Sequence, residues 1–238
     1  MSEGTISTSR LEYVEGRESW HAEHGVWEDH LPHLAAQYRT MLRFAPDLAG
    51  SPLRVLDIGC AHGHLLRFLK LVNPSLDLWG VEIARRAADE AAAVVGADRV
   101  FWQGCGEPVP LPDASVDVVC SFDMIEHVPE GPELPRMVAE IARVLKPGGR
   151  TFVETPNYNR RMRALYRLTG QGHWLKYEHR NLFGGPKLRA LLEPALTVDG
   201  VLHRGDWDPG SRVPLVRGVR SERLYLSMHI CAVARKAG

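Results

Sequence analysis

Cysteine is scarce in this chain, and so is lysine. The four cysteines, Cys60, Cys105, Cys120 and Cys231, are scattered through 238 residues without a C-x-x-C pair. That pattern argues against a disulfide framework or a structural zinc site. It favours thiols in a reducing compartment, so the expected location is the cytoplasm. Lysine numbers 5 against 24 arginines, and net charge is absent altogether, with 29 basic residues balancing 29 acidic ones. No global field would draw such a protein onto nucleic acid or an anionic membrane, and neither is an expected partner. No apolar run approaches ~18 residues, the length that a spanning helix needs. The polar start, MSEGTISTSR, lacks the apolar centre of a secretion signal. There is no internal repeat and no low-complexity tract. What is present is 45% hydrophobic residues, enough for one full-sized core.

The elements alternate. Residues 18–45 read as one or two helices, with Trp20, His24, Trp27, Leu31, Leu34 and Tyr38 at helical spacing. Residues 53–58 are a short buried strand set off by Gly50-Ser51-Pro52, followed by a turn over 59–63 and a helix over 64–72. Strands are expected at 76–82, 99–103, 116–121 and 150–154, and helices at 84–95, closed by Gly96, and at 134–145. This order means right-handed βαβ units and a parallel sheet. Residues 196–203 and 224–233 read as two strands with no helix between them, which pair antiparallel. The expected architecture is therefore α/β and Rossmann-like. It has a seven-stranded, mostly parallel sheet with a C-terminal antiparallel hairpin, a helical cap over residues 1–45, and a main domain over 46–238. The stretch 157–186 is a long connection inserted in that domain.

Four stretches carry the chemistry. The first is Val55-Leu-Asp-Ile-Gly-Cys-Ala-His-Gly63, a strand running into a small-residue turn that opens a helix. Such a turn lets backbone N–H groups and a helix N-terminus approach an anionic ligand group. Taken alone it fits any Rossmann-like turn, including one that binds NAD. The second is Glu82, at a strand end about 20 residues past the turn, where a carboxylate accepts ribose hydroxyls. Ile83 beside it offers an apolar wall. The glycine spacing, Gly59 then Gly63 with no third glycine, departs from the G-x-G-x-x-G of NAD proteins. The third stretch runs from Gly104 to Ser121 and contains GEPVPLPDASVDVVCS. The fourth is Phe122-Asp-Met-Ile-Glu-His-Val128, followed by Lys146-Pro-Gly-Gly-Arg-Thr-Phe-Val-Glu-Thr-Pro156.

As an ordered set over residues 53–156, these stretches resemble the motifs of class I S-adenosylmethionine (SAM)-dependent methyltransferases, in particular small-molecule enzymes of the ubiquinone-biosynthesis kind. The resemblance implies SAM as methyl donor. It implies a site made by Asp57, Gly59, Cys60, Ala61, Gly63, Glu82, Ile83, Cys105 and Gly106, with the backbone around Ser121 and Phe122. Two positions depart from the pattern. Ala61 replaces the middle glycine, which fits if its φ is negative. Cys105 stands where the family has an acid for the adenine amine, and is a weak hydrogen-bond partner.

Methyl transfer asks the protein for alignment and, with a hydroxyl acceptor, for a base. His127 is the candidate base. Asp123, Glu126 and His127 would share one face if their segment is helical. Ubiquinone-pathway O-methyltransferases have E-x-x-E-H there, and the resemblance leaves open a divalent metal on that face, although a metal-free site is the expectation. His21, His24, His30 and His33 read as part of a helix that folds over the cofactor, with one or two facing the substrate. The resemblance implies that residues 157–186 form a substrate lid, and its Tyr158, Tyr166, Trp174, Tyr177 and Phe183 would wall the acceptor pocket. Arg160, Arg161, Arg163, Arg167, Lys176 and Arg180 would receive an anionic group on the acceptor, and His173 and His179 are secondary base candidates. The expected reaction is O-methylation of a small molecule. N- or C-methylation and a nucleic-acid or protein substrate are the alternatives. The N-P-P-Y motif of base-amine enzymes is replaced by Ser121-Phe-Asp-Met124.

Overall fold

A computed structural model of the protein describes residues 27–168, 179–204 and 228–238. The elements, in chain order, are α1 (Trp27–Phe44), a 3-10 turn (Pro46–Ala49), β1 (Arg54–Ile58), α2 (His64–Val72), β2 (Asp77–Glu82), α3 (Arg85–Val95), β3 (Val100–Trp102) and β4 (Val116–Phe122). There follow α4 (Glu133–Val144), β5 (Leu145–Pro156), α5 (Arg160–Leu168), α6 (Gly185–Leu192), β6 (Thr197–Arg204) and β7 (His229–Arg235).

The seven strands form one sheet in the order β3-β2-β1-β4-β5-β7-β6. The first five strands run parallel. β7 lies between β5 and β6 and is antiparallel to both. The expected hairpin is thus present, with its second strand inserted against β5. β5 begins earlier than residue 150. Its register with β4 skips from Leu145 to Arg150, so residues 146–149 loop out of that pairing.

Each strand feeds two cores because its side chains alternate in direction. Val55, Val118, Cys120, Phe152, Cys231 and Val233 face one layer, where Leu34 and Met41 of α1 and Leu65, Leu66 and Leu69 of α2 pack. Leu56, Ile58, Val119, Val153 and Ala232 face the other, under Met137 and Ile141 of α4 and Leu188 of α6. A parallel sheet covered on both faces has to be apolar on both, which is why these strands read as continuous apolar runs. Among the described residues no helix is long and apolar enough to cross a membrane.

The turn from β1 into α2 is the tightest junction. Gly63 caps α2 with φ +75, and a Cβ there would come within 2.9 Å of the Ala91 backbone on α3. Gly200 has open space around it instead. Gly63→Ala should therefore destabilise the fold by ~1–3 kcal/mol, the cost of a side chain in the left-handed region before the overlap is added. Gly200→Ala should be neutral or stabilising by up to ~1 kcal/mol through the unfolded state. Urea unfolding of both variants checks the opposite signs.

Candidate active site

The reversal of strand order between β1 and β4 opens a crevice at the C-terminal ends of the parallel strands, the usual ligand position in such sheets. Here it is a cavity of about 610 Å³, roofed by α1. That volume lies within the range of small-molecule sites, ~300–1,000 Å³.

One wall is the turn after β1. Gly59 and Ala61 have φ values of +84 and +47. The N–H groups of Gly59 and Cys60 donate to the Val81 carbonyl of β2 at 2.8 and 3.1 Å, and the Gly63 N–H donates to the Cys60 carbonyl. The positive φ of Ala61 corrects the sequence expectation, which required a negative one. A left-handed alanine costs ~1–2 kcal/mol. It is held there because the Ala61 N–H donates to Glu82 Oε2 at 2.9 Å. Glu82 Oε1 accepts the N–H groups of Ile83 and Ala84 at 2.9 and 2.8 Å. Glu82 therefore fastens the turn to the end of β2. A carboxylate has about four acceptor positions, so it also retains capacity toward the cavity it lines.

Asp57, at the end of β1, is almost fully buried and lines the same cavity. Burial, and then the charge of Glu82, raise its carboxyl from the ordinary 3.8 to about 7. Cys60 lies under the turn, and burial pushes its thiol well above the usual range. Ile83, Cys105, Gly106 and Phe122 also line the cavity. Ser121 does not. It is fully buried in β4, beneath the cavity surface, because it alternates with the exposed-side residue Phe122.

The opposite wall departs most from the sequence reading. After β4 the chain does not enter a helix. Asp123 takes φ +50, its N–H donates to the Glu154 carbonyl, and the His127 N–H closes a turn onto the Met124 carbonyl at 3.0 Å. This reversal splits the expected D-x-x-E-H face. His127 lines the cavity, buried, with Nε2 3.9 Å from Glu126 Oε1 and its ring edge-on to His179 at 4.9 Å. Glu126 Oε2 accepts from Thr155 Oγ1 at 2.9 Å. Asp123 turns the other way. Its Oδ2 is 2.9 Å from His33 Nε2 and its Oδ1 is 3.5 Å from His229 Nε2.

α1 supplies His30, His33, Leu34 and Gln37 to the roof. His21 and His24 lie outside the described residues. Glu154 and His229 beside this wall were missed in the sequence. Their only signal was polarity at the end of one apolar strand and the start of another. The lid expectation is corrected for its described part. Tyr158 and Tyr166 bury against Met162 in a small separate core, and Phe183 belongs to the core under α4. None of the described lid residues lines the cavity, whose lining includes one arginine, Arg136. Arg160, Arg161, Arg167 and Arg180 are exposed. His173, Trp174, Lys176 and Tyr177 lie outside the described residues.

A parallel sheet with an inserted antiparallel seventh strand and a positive-φ turn after β1 defines the Rossmann-like fold of the class I methyltransferases. The methyltransferase-domain family matches residues 27–195, and the chain belongs to that family of SAM-dependent enzymes. It is 34% identical over 137 residues to the 27-O-demethylrifamycin SV methyltransferase of Amycolatopsis mediterranei (strain S699), covering 53% of this chain and 48% of that protein. It is 53% identical over 103 residues to a probable SAM-dependent methyltransferase of Mycobacterium tuberculosis (strain ATCC 25618 / H37Rv), covering 43% of this chain and 35% of that protein. These matches span about half the length of the relatives or less. Among solved structures, geranyl diphosphate C-methyltransferase from Streptomyces coelicolor A3(2) shares the fold. Its TM-score is 0.61 at 16% identity, over 85% of this chain and 78% of that one.

The raised Asp57 carboxyl gives a signed stability test. An acid whose folded pKa lies above its unfolded value stabilises fully below 3.8, and that contribution is lost as pH rises to about 7. Asp57→Asn stays neutral throughout. The melting temperature of this variant should therefore exceed that of the ligand-free wild type by a margin that grows between pH 4 and 7 and then levels off. A margin independent of pH, read by calorimetric scans, would contradict the buried ionisable carboxyl.

Proposed function

We propose that the protein transfers the methyl group of SAM to a hydroxyl on a small-molecule acceptor. The observation that carries this reading is the buried pair Asp57 and Glu82 beneath the positive-φ turn, at one end of a cavity whose other wall presents histidine. Two buried carboxylates of like charge side by side favour a cation next to them. A ligand carrying an ammonium and a sulfonium supplies one, so the residues fit the cofactor. Asp57 would hold its ammonium, the remaining acceptor capacity of Glu82 its ribose, and Ile83 its adenine face. Cys105 and Gly106 would border the adenine edge, and the Phe122 backbone the reacting end.

When bound, SAM supplies a methyl group activated for in-line displacement, and the chain contributes alignment and exclusion of water. His127 is proposed to take the acceptor's proton on its ring nitrogen. Glu126 Oε1, 3.9 Å from its Nε2, sets a carboxylate beside that ring. Oxygen as the accepting atom is supported by the names of relatives, among them the ubiquinone biosynthesis O-methyltransferase of Cupriavidus pinatubonensis (strain JMP 134 / LMG 1197), 34% identical over 119 residues. An anionic acceptor group is the finer reading. Arg136, itself exposed, is the arginine proposed to receive it, because it lines the cavity and those of α5 do not. None of the four cysteines is in a disulfide. This suits a reducing compartment, and the proposed location is the cytoplasm.

Titration calorimetry should show binding of SAM or its demethylated product and none of NAD. Glu82→Gln should weaken SAM by ~1.5–3 kcal/mol, the range for a hydrogen bond to a charged group. Tight NAD binding with no response to SAM would sink the cofactor assignment, and unchanged affinity in Glu82→Gln would limit that residue to fastening the turn. With an acceptor in hand, His127→Ala should lower kcat by ~10²–10⁴ while SAM affinity is kept. Normal turnover in that variant would move the base elsewhere.

A further inference from the structure

The cavity wall facing α1 gathers ligating side chains that the methyl-transfer reading does not use. His33 of α1, Asp123 after β4 and His229 at the start of β7 each bring one ligand atom to within 4.8 Å of the others. We propose that these three residues bind a divalent transition-metal ion.

The spacing of the three side chains fits an ion held between them. With metal–ligand bonds of ~2.0–2.2 Å, atoms sharing one ion lie roughly 3–4 Å apart. His33 Nε2 and His229 Nε2 lie 2.9 and 3.5 Å from the two oxygens of Asp123. The His33 and His229 rings are tilted to one another at 5.2 Å between centroids. The backbone fixes the arrangement from three separate elements. Asp123 is held left-handed by its N–H bond to the Glu154 carbonyl, and His229 is in register with Pro156 of β5.

His33 Nε2 meets two polar neighbours. Its Nε2 lies 2.9 Å from the Gln37 amide nitrogen, a donor, and 2.9 Å from the Asp123 carboxylate, an acceptor. One ring nitrogen carries either a proton or a lone pair and cannot serve both. With the lone pair on an ion, Asp123 would become a fellow ligand, and the Gln37 amide, which cannot share that lone pair, would turn away from the ring. The Gln37 amide then keeps its bond to Glu154 Oε1 at 3.2 Å. Glu154 is fully buried behind the triad, 3.7 Å from His33 Nε2, and adds negative charge outside the ligand set. His33 and Asp123 line the cavity and are about one-third exposed, at 31% and 33%, so an ion has an entry path. Two imidazoles and one carboxylate suit zinc, manganese, iron or cobalt better than magnesium.

A second histidine cluster, Glu126, His127 and His179, is the rival site. In it Glu126 Oε2 accepts from Thr155 and His179 Nδ1 meets the Tyr158 hydroxyl, and the variants below separate the two sites. An ion at the first site would share the cavity with His127 and, as a Lewis acid, would ease passage of a coordinated acceptor hydroxyl's proton to that ring. That role rests on the proposed transfer to oxygen, whereas binding of the ion does not.

The test is titration of Co²⁺ into chelator-treated full-length protein without SAM, read by the visible absorption of bound cobalt. Wild type should develop the band to one equivalent, with an intensity reporting four- to six-fold coordination. Asp123→Asn should weaken binding by more than ~100-fold, beyond the ~10–100-fold that loss of an outer group costs. Asparagine tolerates the left-handed backbone at this position, and a melting curve confirms that the variant folds. His33→Ala should do the same, and His179→Ala should leave the titration unchanged. Absence of a band in wild type, undiminished binding in Asp123→Asn and His33→Ala, or loss confined to His179→Ala would each overturn the proposal. SAM affinity is measured separately by calorimetry, so failure of either reading is seen apart from the other.

Discussion

Three backbone N–H groups converge on one side chain, the carboxylate of Glu82, and the cavity exists because they do. The turn after β1 contains left-handed residues that would otherwise relax, and it packs with no spare room between β2 and the helices α2 and α3. Charge-assisted bonds from Ala61, Ile83 and Ala84 hold it open toward solvent and fix the end of β2 at the same time. The carboxylate is therefore both scaffold and candidate ligand group. A substitution there acts on the shape of the site before it acts on any contact.

The same region stores unfavourable electrostatics. Asp57 and Glu82 are both buried, and each raises the cost of charging the other. Such a pair is a poor way to stabilise a fold and a good way to attract a cation, since the ligand supplies the missing partner. Stability is yielded there, at the end of the sheet that borders the cavity. The cores on either face of the sheet can support this. Each is continuous and apolar, and neither depends on the charged end of the sheet.

Across the cavity the controlling feature is a single backbone angle. Asp123 at φ +50 sends its carboxylate toward α1 and β7, while Glu126 and His127 turn toward His179. One motif thereby serves two neighbouring clusters. His127 lies at the cavity beside Glu126 and His179, and Asp123 becomes the centre of a group contributed by three elements.

The sequence by itself determined the sheet, the crossovers and the loop after β1. Those features arise from local periodicity and from glycine at positions that need positive φ, and both are written in consecutive residues. It also placed Asp57, Glu82, Ile83 and His127 at strand ends or just beyond them, because in a parallel sheet the strand ends share one edge. Tertiary structure decided the rest. Glu82 binds the turn because β1 and β2 are neighbours in register. His33 and His229 come from opposite ends of the chain and meet only because β7 inserts beside β5 under α1. Tyr158, Tyr166 and Phe183 look like pocket residues by composition, yet they fill cores, since apolar surface is buried wherever packing admits it. Ala61 and Asp123 adopt left-handed backbone that neither residue type announces. Long-range hydrogen bonds to Glu82 and Glu154 hold them there, and no local pattern encodes those bonds.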